Sequence, residues 1–441
     1  MSAMMLSCVF PIPSEITERA LALCHPRDVA SFSQTCRKAH RLVYRSPDPY
    51  LWRQLFLLFP FDDPRQMESV FLGDSHFNWR KELLRRMEAQ LIACRKNSKL
   101  EDLLRAIDTF VSVVRTAAPV AMGHERVSSP NLLWVVDVLQ STNMLRSPLI
   151  ASEEGNQSLA RLRSYLALTL DEYDEDDDEG KERLKLIWMR SRYQVYDLRN
   201  YHQGNAWGPF TTSGEVDWTH IESIINVISL NLYDRPSLWP DARPRCGLEA
   251  TRAYSAPGTT ARATGDWAGV EGHWRRYVCF MDIRDLFALN YDNGGRGLQD
   301  STYFDNLNFP DAARLIELKL TLIDAQAIPD IYTLDRFPNS PYEHYPTLYF
   351  TGSSWGMPGN EATVIGSVTM SESGVVRWRF ASVSDSCIKW SSEGIQIGSI
   401  ASAFGVIGTW TGVHHDRADP VGPFWLYKVE DDHPSYMRVH T

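Results

Sequence analysis

Up to about Leu184 the apolar residues recur at steps of three and four; beyond it they fall in short runs that alternate with polar residues, punctuated by Gly, Pro, Asn and Asp. The first spacing lays one stripe along a helix, and the second lays one face along a strand. A single layer of one element type cannot satisfy both, so the expected fold class is α+β, helical first and then mainly antiparallel β, barrel-like or sandwich-like. The 441 residues exceed one compact core, which implies two or three domains.

Within the helical half, Trp79, Leu83, Met87, Leu91 and Cys94 form one stripe, which assigns Arg80, Lys81, Arg85, Arg86 and Glu88 to a solvated face. Leu100, Leu103, Leu104, Ile107, Val111 and Val114 form a second stripe. Leu132 to Leu139 and Leu159 to Leu166 extend the set, so residues 61–170 are read as a helical connector. The run Asp171 to Glu179 holds eight acidic residues in nine, which repel one another and lose hydration if buried; residues 171–183 are therefore expected to be a solvated loop. A calcium loop does not fit this run, because aligning Gly180 to the required glycine places Leu186 where a bidentate glutamate is needed.

Residues 184–441 carry strand patterning. Ile316, Leu318, Leu320 and Leu322 alternate with Glu317, Lys319 and Thr321, and Val376, Trp378 and Phe380 alternate with Arg377 and Arg379. Val364 to Met370 and Val375 to Phe380 flank Ser371-Glu372-Ser373-Gly374, which reads as a hairpin with glycine at a positive-φ position. One helix interrupts them, with Ile221, Ile224, Ile225, Ile228 and Leu232 on one side and a capping box expected from Thr219 and Glu222. It is suited to plugging one end of a curled sheet.

Removing the acidic run leaves about −2 of the net charge of −10, so no cationic face is available to track phosphates and nucleic acid is not expected as a partner. The seven cysteines are odd in number and form no C-x-x-C pair, which points to a reducing compartment and no metal knuckle. Neither a secretory leader nor a run of roughly 20 apolar residues is evident, so cytoplasm or nucleus is expected, with no membrane partner.

Ile12-Pro13-Ser14-Glu15-Ile16, then Leu21 and Pro26, Asp28-Val29, Thr35-Cys36-Arg37, and Leu51-Trp52-Arg53-Gln54-Leu55 resemble an F-box in order and spacing. The resemblance covers residues 8–60 and implies a small helical unit that docks on a Skp1-type adaptor and, through it, a cullin scaffold and RING subunit. Carried onto this chain, it implies adaptor contacts at Ile12, Pro13, Ile16, Leu21, Val29 and Phe32, over a core of Cys36, Leu42, Leu51, Trp52 and Leu55. A unit of about 45 residues is also near the size at which a partner is needed to complete a core.

In the second half, Val195 to Tyr201, Asp266 to Val270 with Trp274-Arg275-Arg276, and Trp390 to Gly398 resemble the C-terminal region of an expanded fungal F-box family. Gly405 to Val429 is similar to the closing strands of animal F-box proteins that bring D-type cyclins to the ligase, whose substrate domain is a β-barrel. These resemblances imply a substrate-recognition subunit of a cullin-based ubiquitin ligase that presents a protein target through residues 184–441, with no catalysis and no cofactor of its own. Loop residues Tyr342, His344, Asp416 and Asp419 are the expected substrate contacts, because polar loops expose free backbone.

Two other readings compete. One is a barrel that binds a small ligand and merely carries an F-box; the other is a serine hydrolase, because Gly352-Ser353-Ser354-Trp355-Gly356 fits G-x-S-x-G. Against the latter, β-branched Thr363, Val364 and Ile365 follow where the nucleophile elbow requires a helix. His414, His415 and Asp416 are neighbours in sequence, and an extended chain turns adjacent side chains to opposite faces, so neither a metal site nor a triad is expected there.

Overall fold

In a computed structural model the protein is described at residues 12–66, 77–95, 98–121, 127–146, 152–170, 177–235, 237, 239–259, 265–292, 311–328, 340–356, 360–385, 387–416 and 419–437. Residues 8–11 of the expected F-box, 171–176 of the acidic run and 357–359 after the G-x-S-x-G segment lie outside these. The chain forms two compact units: residues 1–118 with 128–144, and residues 119–127 with 145–441. The first therefore joins the N-terminal helices to most of the expected connector, and the rest of the connector belongs to the second.

The first unit begins with four short helices, α1 (Ser14–Ala22), α2 (Pro26–Ser33), α3 (Arg37–Tyr44) and α4 (Tyr50–Leu58). Pro26 opens α2 at a position where its missing N–H costs nothing. Three longer helices follow, α5 (Trp79–Ala93), α6 (Leu100–Arg115) and α7 (Pro130–Gln140). Phe56 of α4 contacts Trp79 of α5 at 5.5 Å, and Trp134 of α7 meets Phe61 at 5.4 Å and Phe110 of α6 at 5.5 Å, so aromatic packing ties α4 to α5 and α6 to α7.

Two sequence expectations fail on α5. Leu91 and Cys94 are exposed, and the buried line instead runs through Leu83, Arg86, Ala89 and Ile92. Arg86, assigned above to solvent, is buried with its guanidinium 4.5 Å from the Phe61 ring and 4.9 Å from that of Phe56. Glu82 at 2.8 Å and the Asn131 amide oxygen at 2.7 Å compensate its charge, which is what permits burial.

The second unit contains α8 (Glu153–Leu166), α9 (Asp178–Tyr196), α10 (Trp218–Tyr233), a short α11 (Ile283–Phe287), and eight strands: β1 (Gly272–Phe280), β2 (Ala312–Ile323), β3 (Leu348–Gly356), β4 (Asn360–Met370), β5 (Val376–Ser384), β6 (Cys387–Gln396), β7 (Val406–Gly412) and β8 (Val421–Val429). Each strand pairs antiparallel with the next, and β8 returns to β1 with Tyr277 opposite Trp425, closing a barrel. The α+β architecture with an antiparallel barrel is as expected, as is the β4–β5 hairpin, whose Gly374 has φ of +71°.

The onset of strand structure is later than expected. Residues 184–196 are helical, and the end of the acidic run starts that helix: Asp177 accepts from the Glu179 N–H at 3.2 Å, and Asp178 and Glu179 complement the positive end of the dipole. The buried face of α9 includes Ser191 and Arg192, which hid its helical period. On α10 the cap is Asp217, which accepts from the His220 N–H at 3.1 Å, so Thr219 and Glu222 form no capping box. This helix also plugs no barrel end. Its Asn231 approaches the Cys279 sulfur at 3.9 Å, and Cys279 points outward from β1, so α10 lies on the barrel wall.

Trp274, Leu318, Phe350, Val364, Val368, Trp378, Phe380, Phe424 and Leu426 fill much of the lumen. Eight strands enclose an interior just wide enough for such a filling or for one small ligand. Ala253, Ala268, Val270, Tyr345 and Ile400 extend the core at the end where β1, β3, β5 and β7 begin. Among the described residues no helix is long and apolar enough to cross a membrane.

Candidate functional site

The sequence points first to the surface of α1–α4. Pro13 precedes α1 and its carbonyl accepts from the Ile16 and Thr17 N–H groups at 3.2 Å, which sets the helix direction and turns Ile16 outward. Ile12 and Ile16 are 50% and 57% exposed. Ile12, Phe32 and Leu42 line one groove of about 310 Å³, whose rim carries Glu18, Lys38 and Arg41. Burial pushes the Glu18 carboxyl up, with Asp48 adding to the shift.

The other expected adaptor contacts fall inside. Leu21 and Val29 are buried, so they hold the helices together and do not present a surface. Leu51, Trp52 and Leu55 are buried as the motif implies, and the Trp52 indole donates to the Val43 carbonyl at 2.8 Å. Cys36 caps α3: its sulfur accepts from the Ala39 N–H at 3.4 Å, which holds the thiol below its usual range. Cys36 and Leu42 are only half-buried.

The expected substrate loops do not converge. Tyr342 and His344 precede β3, and the Tyr342 hydroxyl donates to the Glu372 carbonyl at 2.9 Å beside the β4–β5 turn. Asp416 and Asp419 lie in the β7–β8 connection, where the Asp419 carboxylate accepts from the Asp416 N–H at 3.0 Å. In an up-and-down barrel these connections occupy opposite ends, so one compact ligand cannot touch both pairs.

Ser354 is not at a strand-to-helix elbow. It lies within β3, opposite Ala362 of β4, and its hydroxyl donates to the Ala362 carbonyl at 3.1 Å. His415 stacks on Trp207 with ring centroids 3.7 Å apart, and burial lowers its pKa. Among the described residues no group of three or more His, Cys, Asp or Glu side chains converges to hold a metal.

A residue not singled out by sequence reasoning stands out in the lumen. Alternation along β1 sends Trp274 and Val278 into the barrel core, and Arg276 shares their face. It lines a cavity of about 250 Å³ at the end where β1 and β3 finish. Period-2 reading of residues 272–280 is the signal that finds it, since a cation on the inward face of a closed sheet is costly. Comparison with protein-family models, curated proteins and solved structures returned no match.

Proposed function

We propose that the chain is the substrate-choosing receptor of a cullin-based ubiquitin ligase, docking to a Skp1-type adaptor through α1–α3 and holding a protein target with its second unit. The observation that carries this reading is the groove where Ile12, Phe32 and Leu42 meet beside exposed Ile16, at positions marked by the ordered motif of residues 12–55. Branched apolar side chains left in water gain when a partner covers them, at about 25 cal/mol per Å² buried. Leu21, Val29, Leu51, Trp52 and Leu55 serve as the frame that holds this surface. Catalysis belongs to the partners: a receptor of this kind accelerates transfer by raising the effective concentration of target near the ubiquitin-carrying enzyme.

The test is co-purification of the full chain with adaptor and cullin from cells. The Pro13→Ala, Ile16→Asp variant is expected to lose both partners while keeping its circular dichroism spectrum. Leu133→Asp, a change at an exposed leucine of α7, is expected to keep them. Retention of both partners by the first variant would contradict the proposed surface.

A further inference from the structure

Five arginines are buried among the described residues: Arg86, Arg192, Arg252, Arg275 and Arg276. Four of them face a carboxylate, in the pairs Arg86–Glu82 at 2.8 Å, Arg192–Asp311 at 2.9 Å, Arg252–Glu249 at 2.9 Å and Arg275–Glu317 at 3.4 Å. Arg276, 5% exposed, faces none. One terminal nitrogen donates to the Ser392 hydroxyl at 2.8 Å, its guanidinium carbon lies 4.5 Å from the Phe424 ring and 5.0 Å from that of Phe380, and its Nε has no partner. Burial pushes the group down to about 9, which leaves it a cation at neutral pH. A buried cation without an anion is costly, and proteins retain such groups where a ligand supplies the missing charge.

The adjoining cavity has the shape and lining for that ligand. Its volume of about 250 Å³ is below the roughly 300–1,000 Å³ of sites for drug-sized molecules, so it admits one compact ligand. Trp390 and Trp410 meet edge to face at 5.2 Å on its wall, Phe280 adds a third ring, and Ser354 and Ser382 contribute hydroxyls. Trp390 is 40% exposed, an unusual position for a tryptophan on an inward face. A planar guanidinium suits a carboxylate; Arg314 also lines the cavity, 4.8 Å from the Phe280 ring, so it is the aromatic wall and not a count of charges that favours an organic acid over inorganic phosphate.

We propose that this end of the barrel binds a small carboxylic acid with an aromatic or short apolar body, its carboxylate on Arg276 and its body against Trp390 and Trp410. The proposal is independent of adaptor docking, so either can fail alone. The probes are benzoate and 3-phenylpropanoate, their neutral amides, and inorganic phosphate, titrated into the full chain by calorimetry and tryptophan fluorescence. Either acid is expected to bind at least tenfold more tightly than its amide, and Arg276→Gln is expected to abolish that preference. Arg276→Met, which removes the uncompensated charge, is expected to raise the thermal midpoint of the empty protein. Four results each overturn the proposal: no binding of either acid, equal binding of acid and amide, preference for phosphate, or a lowered midpoint in Arg276→Met. Binding of a peptide ending in phenylalanine, with no binding of the free acids, would overturn it in favour of a chain terminus.

Discussion

His220 makes the second unit's stability depend on pH in a window where few other groups titrate. It lies on α10, fully buried, edge-on to the Tyr201 ring at 5.7 Å, and burial pushes its imidazole down to about 4 although Asp217 and Asp197 pull the other way. An unfolded chain binds that proton near 6.5. Between these values the unfolded state holds more protons than the folded one, so stability is fully present above 6.5 and is lost as pH falls toward 4. Working the two equilibria through, the loss between pH 7 and pH 5 is about 2 kcal/mol from this residue alone. The assay is urea unfolding at pH 7, 6 and 5, followed by tryptophan fluorescence, since eleven of the fourteen tryptophans belong to this unit. His220→Gln is expected to flatten the pH dependence by that amount, whatever its own cost at pH 7. Parallel curves for wild type and variant would refute the reasoning.

Asp311 is fully buried, with Arg192 at 2.9 Å on one carboxylate oxygen and the Asn231 amide donating to the other at 3.0 Å. Arg192→Met is therefore expected to cost about 3–5 kcal/mol in denaturant unfolding, and the Arg192→Met, Asp311→Leu pair much less; equal losses would show that the charge pair is not the cause. Ser354→Ala removes one hydroxyl bond and is expected to cost about 1 kcal/mol. A fluorophosphonate probe is expected to leave the native protein unlabelled, and labelling at Ser354 would restore the hydrolase reading.

The parts of the fold that could be read from sequence are those set by local spacing. Helices α5, α6 and α7 follow from apolar steps of three and four, and the β4–β5 hairpin from alternation about a turn with one glycine. Local spacing places Arg86 in solvent because its burial depends on Asn131, 45 residues away, as much as on Glu82 one turn back. For α9 the period was obscured because Arg192 occupies the buried face, compensated by Asp311 119 residues downstream. Barrel closure has the same character. Alternation shows that each strand has a wet and a dry face, but the β1–β8 pairing that joins residue 277 to residue 425 leaves no local trace.

The candidate sites divide along the same line. Ile12, Ile16 and the Leu51-Trp52-Leu55 frame came from an ordered motif, which encodes local helix geometry. The sorting of Leu21 and Val29 into the core, with Ile12 left outside, depends on how four helices meet. Sequence patterning assigns Arg276 no strand and no face; its inward position follows only once residues 272–280 form β1, and its lack of a carboxylate partner is a property of the assembled lumen.

The most direct test of the receptor reading is a calorimetric titration of the purified full chain with a purified Skp1-type adaptor. Saturable one-to-one binding is expected, weakened at least about tenfold by Ile16→Asp, since an apolar anchor in an interface contributes 1–3 kcal/mol. Leu133→Asp is expected to bind as wild type. The absence of binding by the wild-type chain, or equal binding by Ile16→Asp, would contradict the claim that α1–α3 form an adaptor surface.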